Sequence, residues 1–187
     1  MSTAEKTFSK GLEGVIAAQT EMSFINGTEG ILEYVGIAIG DLASQSSFEE
    51  TVFLLWNKRL PNKAELEAFT KDLRSHYALG DAIKARITAC PVDAEPMHVI
   101  RTMISSMAMD DSSPNENSVE AAREKSLQIL AKAPAIVAAF DRHRRGLEIV
   151  EGDSSLSFAA NFLYMLNGEK PTDAMIRAFD ICMITHA

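Results

Sequence analysis

The chain has 187 residues, 47% hydrophobic and 24% charged, enough apolar material for one sizeable core or for a core shared with a partner. A formal charge of -8 argues against nucleic acid as a ligand, because a phosphate backbone is held mainly by clustered Lys and Arg. No run approaches the ~18 apolar residues of a membrane-spanning helix, and the composition is that of a soluble protein.

Met1 to Lys10 are polar and lack both an apolar leader core and an Arg-rich amphipathic pattern, which predicts a cytoplasmic protein. Gly11-Leu12-Glu13-Gly14 lacks the Lys-Ser/Thr of a phosphate-binding loop and reads as a lead-in. Glu21 to Ile25 and Ile31 to Tyr34 flank Asn26-Gly27-Thr28-Glu29-Gly30, whose asparagine and glycines can take positive φ. This is the one stretch that reads as strand, and it predicts a small hairpin.

Helical punctuation follows. Ser47 with Glu50 is a capping-box pattern opening Phe48 to Lys58, and Asn62 with Glu65 opens a second helix from Lys63 to about Leu79. Leu60-Pro61 separates them, since proline drives the preceding residue out of helical geometry. Pro96 suits a first turn, with Met97, Ile100, Arg101, Ile104, Met107 and Ala108 spaced as on a largely buried helix. Asp110 to Asn117 reads as an exposed loop. Ser118 caps a long helix towards Arg145, with Pro134 as a kink or break and Gly146 at its C-terminal cap. Ser157 opens another, which Asn167-Gly168 ends. Thr172 opens the last, and Ile181 to Ala187 hold no Gly, Asn or Pro to close it, so the chain reads as ending in mid-helix and as part of a longer protein. Met175, Phe179, Cys182 and His186 fall at helical spacing, which predicts an apolar stripe packed on a neighbouring helix. The fold class is all-α and multi-helical, with a minor N-terminal hairpin and no internal repeat or linker.

Cys90 and Cys182 belong to no C-x-x-C pair, so neither a disulfide framework nor a zinc site is signalled, and two buried thiols are expected. Met97, Met103, Met107 and Met109 could form an adaptable ligand surface, although Met at this spacing usually packs. His76 is read as solvated or C-capping, and His98 has no evident partner. Arg142-His143-Arg144-Arg145 could grip an anion such as a nucleotide phosphate, or could simply complement the dipole of its own helix end. His186 is read from pattern as a hydrogen-bonded core histidine. There is no Ser-His-Asp order, no H-x-x-x-H pair and no carboxylate pair against an apolar pocket, so pattern alone reveals no activity. Metals and redox cofactors have no support.

Several blocks in order nevertheless resemble one family. Lys10 to Ala18 with the hairpin, Tyr34-Val35-Gly36-Ile37-Ala38-Ile39-Gly40-Asp41-Leu42-Ala43, and Phe48 to Pro61 are similar to three successive blocks of the citrate synthases. Pro96 to Thr102, Arg144-Arg145-Gly146-Leu147, and Leu156 to Gly168 with its Asn-Phe-Leu-Tyr-Met-Leu core extend the resemblance over nearly the whole chain. One departure is Val35, where the family commonly carries arginine, which bears on a local ion pair or phosphate contact. Ile184-Thr185-His186-Ala187 resembles the start of a motif that continues with Asp-His, whose histidine holds oxaloacetate.

The resemblance implies that residues 1–187 are the N-terminal portion of the large helical domain, without the small domain or the catalytic segments. His186 would be an auxiliary substrate-binding residue, Arg144 and Arg145 candidate anion or CoA contacts, and the chain would hold no catalytic residue and no metal. It implies a condensation of acetyl-CoA with oxaloacetate, with no cofactor beyond the acyl-CoA substrate, or with propionyl-CoA in a 2-methylcitrate synthase. A carboxylate removes the methyl proton, one histidine hydrogen-bonds the thioester oxygen and another polarises the ketone. The methyl proton is far too weakly acidic for a lone carboxylate, so the enolate needs a preorganised donor and a closed site. The resemblance also implies a homodimer built by antiparallel helices, Met97 to Met109 and Ser118 to Arg145. A noncatalytic helical dimerisation module is the alternative.

Overall fold

The computed structural model describes Gly11, residues 14–16 and residues 18–187. The expectations for Met1 to Lys10, for Gly11 to Gly14 and for the Lys10 to Ala18 block lie wholly or partly outside these residues. The hairpin is present as β1 (Ser23–Asn26) and β2 (Ile31–Tyr34), antiparallel with Ser23 opposite Tyr34. Asn26 shapes its turn by accepting from the Thr28 and Glu29 amides. A third strand, β3 (Ile37–Ala38), was not expected and pairs with β2 through the two-residue loop Val35-Gly36. Both loop residues have positive φ, 51° and 77°, as such a loop requires. A β-branched residue is costly there, and Val35 offsets the strain by packing on the core beneath.

Eight α-helices follow among the described residues: α1 (Ile39–Gln45), α2 (Phe48–Asn57), α3 (Lys63–Ser75), α4 (Asp81–Thr88), α5 (Pro96–Ser106), α6 (Val119–Arg144), α7 (Phe158–Asn167) and α8 (Asp173–Thr185). The multi-helical fold class with a small sheet is therefore the observed one. The capping box of α3 is complete, with Asn62 accepting from the Glu65 amide at 3.0 Å and Glu65 accepting from the Asn62 amide at 2.8 Å. At α2 only half of it forms, because Glu50 is taken by the Ser46 hydroxyl.

Three boundaries differ from the sequence expectation. The helix expected to run to Leu79 stops at Ser75, because Tyr77 and Leu79 turn inward to 2% and 5% exposure, and Gly80 at φ 75° then opens the unforeseen α4. The helix from Pro96 ends at Ser106 and tightens into a 3₁₀ turn, Met107–Met109. Pro134 neither breaks nor ends α6, which runs unbroken through it. Proline removes one backbone donor, but close packing through Ala131 and Ala135, both nearly inaccessible, holds the helix across that gap.

The core has two parts. One gathers Tyr34, Leu42, Phe53, Leu54, Phe69, Leu73, Phe158 and Ile184 around α2, and the other gathers Leu79, Ile83, Ile87, Val99, Met103, Phe140 and Met165 around α4, α5 and α7. The long helix α6 serves both, giving Leu127 and Ala131 to the first and Ala135, Ile136, Ala138 and Ala139 to the second.

Two packing expectations are corrected. Met103 alone of the four methionines is buried, while Met97 and Met109 are 65% and 69% exposed, so they form no common packed face. The thiols are not both buried: Cys90 is half-buried and bonded to the Arg86 carbonyl, and Cys182 is exposed.

Candidate functional site

The last helix carries His186, and what positions it is a polar junction rather than an apolar stripe. Met175 and Cys182 face outward, His186 is exposed, and Phe179 stacks on Phe162 at 4.9 Å between centroids. The side of α8 that turns inward carries Asp180 and Ile184. The reason is electrostatic. The first amides of α2 lack helical partners, and the Asp180 carboxylate accepts from the Phe48 amide at 3.0 Å. Arg177 pairs with Asp180 at 3.2 Å and donates to the carbonyls of Ser46, at 3.0 Å, and Ala43, tying α8 to the end of α1.

A second carboxylate repeats the device. Glu49, 4% exposed, accepts from the Phe158 amide at 2.9 Å and so caps α7 from α2. Ser47 and Ser157 cap the same two helices from within. These residues line a small cleft of about 220 Å³ with Asp173 and Ile176. Next to Glu49, the hydroxyl of Tyr77 is buried and has no hydrogen-bond partner among the described residues. Burial pushes that phenol well above its ordinary range, the Glu49 charge adds to this, and Arg74 opposes it.

His186 caps α8. Its Nδ1 lies 2.8 Å from the Cys182 carbonyl and 3.1 Å from the Thr185 hydroxyl. A carbonyl only accepts, so Nδ1 carries the proton and Nε2 of the neutral ring presents a lone pair outward. His186 is thus an exposed, tautomer-fixed group, not the core histidine that its spacing suggests. In the neutral form Nε2 accepts a hydrogen bond; only the imidazolium can donate to a carboxylate from that nitrogen.

The basic cluster lies at the end of α6. Arg142 is buried and donates to the carbonyls of Glu148 and Leu166. Arg145 donates to the Leu166 carbonyl at 3.0 Å and pairs with Asp141 at 2.7 Å. His143 meets the Cys90 carbonyl at 2.9 Å. The cluster therefore caps α7 as much as its own helix. The Arg144 guanidinium lies over the Phe140 ring, 5.7 Å from its centroid, and makes no hydrogen bond among the described residues. No hydrogen bond or ion pair joins the cluster to His186. His76 ends α3 with Glu124 at 3.5 Å and Asp72 at 3.8 Å, and His98 is exposed. Among the described residues no group of three or more His, Cys, Asp or Glu could hold a metal ion, and no helix is long and apolar enough to cross a membrane.

Glu49, Arg177, Asp180 and Tyr77 were not singled out by sequence. A carboxylate that caps a helix far along the chain leaves no local pattern, and the one available hint was the Arg177/Asp180 spacing on one helix face.

Residues 11–187 match the protein family described as "Citrate synthase, C-terminal domain". The chain belongs to the citrate synthase family. It is 44% identical over 183 residues to the citrate synthase of Haloferax volcanii, covering 95% of this chain and 48% of that one. It is 41% identical over 182 residues to citrate synthase 2 of Bacillus subtilis, covering 97% and 48%. A 2-methylcitrate synthase of Mycobacterium tuberculosis is 38% identical over 178 residues, covering 95% and 45%. The fold superposes on the Pyrobaculum aerophilum citrate synthase with a TM-score of 0.85 at 34% identity, covering 95% and 46%. It superposes on a Thermoplasma acidophilum citrate synthase, solved as a ternary complex with carboxymethyl coenzyme A and oxaloacetate, with a TM-score of 0.90 at 25% identity, covering 97% and 48%. The chain spans about half the length of the curated citrate synthases it matches.

Proposed function

We propose that residues 1–187 are the N-terminal portion of the large helical domain of a citrate synthase, and that the whole protein is an acyltransferase condensing acetyl-CoA with oxaloacetate to give citrate and CoA. The observation that carries this reading is the identity to curated citrate synthases along nearly the whole chain, over only half of theirs. In that enzyme the carboxylate and the two histidines of the resemblance come from the other half. This half supplies scaffold: the Arg177/Asp180 junction sets α8 against α1 and α2, and α8 delivers His186 with its Nδ1 engaged and no partner on Nε2 among the described residues.

His186 is the auxiliary substrate-side residue of this reading. Of the two arginines proposed for anion or CoA contact, Arg145 is committed to Leu166 and Asp141, whereas Arg144 has donors to spare for a phosphate. The protein works in the cytoplasm as a homodimer, with α5 and α6 meeting their counterparts; the exposed Met97, Met109, Val119 and Ile129 on these helices and the turn after α5 support that arrangement. Sedimentation giving a clean monomer at micromolar concentration refutes the dimer.

The test of the activity is thiol release from acetyl-CoA with oxaloacetate. The 187-residue chain alone stays at the blank rate, because the groups that stabilise the enolate are absent; turnover well above blank refutes the division of labour. A second reading, 2-methylcitrate synthase, is favoured by the 38% identity to such an enzyme, and the ratio of propionyl-CoA to acetyl-CoA turnover in the longer protein decides it. A noncatalytic dimerisation module is the third, and the reading frame after codon 187 with the intact mass of the natural product separates it from the first two.

A further inference from the structure

The connection between the 3₁₀ turn and α6, residues 110–117, contributes almost nothing to either core, and Ser112 to Asn117 are exposed. Beyond Asp110, which Arg86 holds, one side chain from outside the loop ties it down. The Lys125 ammonium, from the second turn of α6, donates to the main-chain carbonyls of Ser113 at 2.8 Å, Pro114 at 3.1 Å and Glu116 at 2.8 Å. The Asp111 carboxylate lies 3.5 Å away. An ammonium has three N–H donors, so the three carbonyls use all of them.

The other bonds of the loop are local and aim these carbonyls. Asp111 accepts from the Ser113 amide at 2.8 Å, Ser113 from the Glu116 amide at 3.1 Å, and Glu116 from the Ser118 amide at 2.9 Å. At the loop's start, Arg86 grips Asp110 through two bonds of 2.6 and 3.0 Å. Three carbonyl oxygens and a carboxylate turned on one point make an oxygen donor set suited to a hard cation, and their dipoles repel one another when the centre is empty. Here the centre is filled by a cation attached to the chain.

We propose that the connection between α5 and α6 is a cation-binding loop whose resident ion is the Lys125 ammonium, so that the order of residues 111–117 depends on that single charged group. The same loop gives Asp110, Asp111 and Ser112 to the wall of a cleft of about 240 Å³ that Ile83, Met107, Gln128 and Lys132 complete, so the Asp111 and Ser112 side of this cleft follows the state of the latch.

The test is amide exchange by NMR on the 187-residue chain. In Lys125→Met, which keeps the stem and removes the charge, exchange at Ser113, Glu116 and Ser118 accelerates by about ten-fold or more, while α7 amides keep their wild-type rates. In Lys125→Ala, methylammonium at high concentration restores the loop's protection, because it can donate into the vacated ring; tetramethylammonium, with no N–H, does not. Unchanged loop exchange in Lys125→Met overturns the proposal. So does acceleration spread equally over α7, or rescue that is the same with both ammonium ions.

Discussion

Removing the Asp180 carboxylate should be among the most damaging single changes on α8. Asp180→Ala strips the acceptor from the buried Phe48 amide and leaves Arg177 without its counter-ion. An unsatisfied buried donor costs about 1–3 kcal/mol, and losing a negative charge at the start of α2 adds about 0.3–1 kcal/mol. Arg177 is 41% exposed, so its lost ion pair adds little. The total is about 1–4 kcal/mol, which for a chain of this size lowers Tm by about 3–15 °C. Asp180→Asn keeps an oxygen for the Phe48 amide and should cost less than half as much. Urea titration of both variants measures the loss, and amide exchange at Phe48 locates it. If Asp180→Ala unfolds within about 0.5 kcal/mol of the wild type, or leaves Phe48 exchange unchanged, the interhelical cap does not hold α8 in place.

Three further outcomes can be checked by the same titration. Lys58 ends α2 at φ 55° with an exposed side chain, so Lys58→Gly should raise stability by about 0.5–1 kcal/mol despite losing the solvent-exposed pair with Glu21; a loss would mean that pair matters more than backbone strain. Gly168 has φ 81°, and a Cβ there would lie 3.1 Å from Nη1 of the immobilised Arg142, so Gly168→Ala should cost about 1–2 kcal/mol or more, visible as a lower urea midpoint. The Arg59 guanidinium, with the Asn62 amide, holds the Glu65 carboxyl down at about 2 from its ordinary 4.5. A folded-state value below the unfolded one means stability present above pH 4.5 and lost as pH falls towards 2, so the gap between wild type and Glu65→Gln should shrink across that window. A gap that stays constant from pH 6 to about 2 contradicts this.

The elements that sequence made legible are those with local chemistry. Ser118, Ser157 and Thr172 each cap the helix expected of them, Asn62 and Glu65 complete their box, and Gly168 closes α7 in the left-handed conformation. What was not legible depended on distant residues. The stop at Ser75 follows from Tyr77 and Leu79 entering two different cores, and the continuity of α6 through Pro134 from packing on both sides of the proline. Hydropathy alone oriented α8 by its Met, Phe and Cys residues, of which Phe179 does pack on Phe162, whereas the fully inward positions are Ile184 and the Asp180 that caps α2. The family was visible in blocks such as Asn161 to Leu166, but the exposure of His186 and the different fates of Arg144 and Arg145 needed coordinates.

The crossed caps impose an order on synthesis. Glu49 waits for an amide 109 residues downstream, and the Phe48 amide for a carboxylate 132 residues downstream. Until the ribosome has released Asp180, the start of α2 is a nascent helix end served by Ser47 and water alone, and long-range closure of this kind is slow. Ribosome-bound chains arrested with Asp180 still inside the exit tunnel should therefore be cut by protease near Phe48, and chains arrested well beyond it should resist. Equal resistance of the two would mean that the start of α2 is secured before α8 arrives.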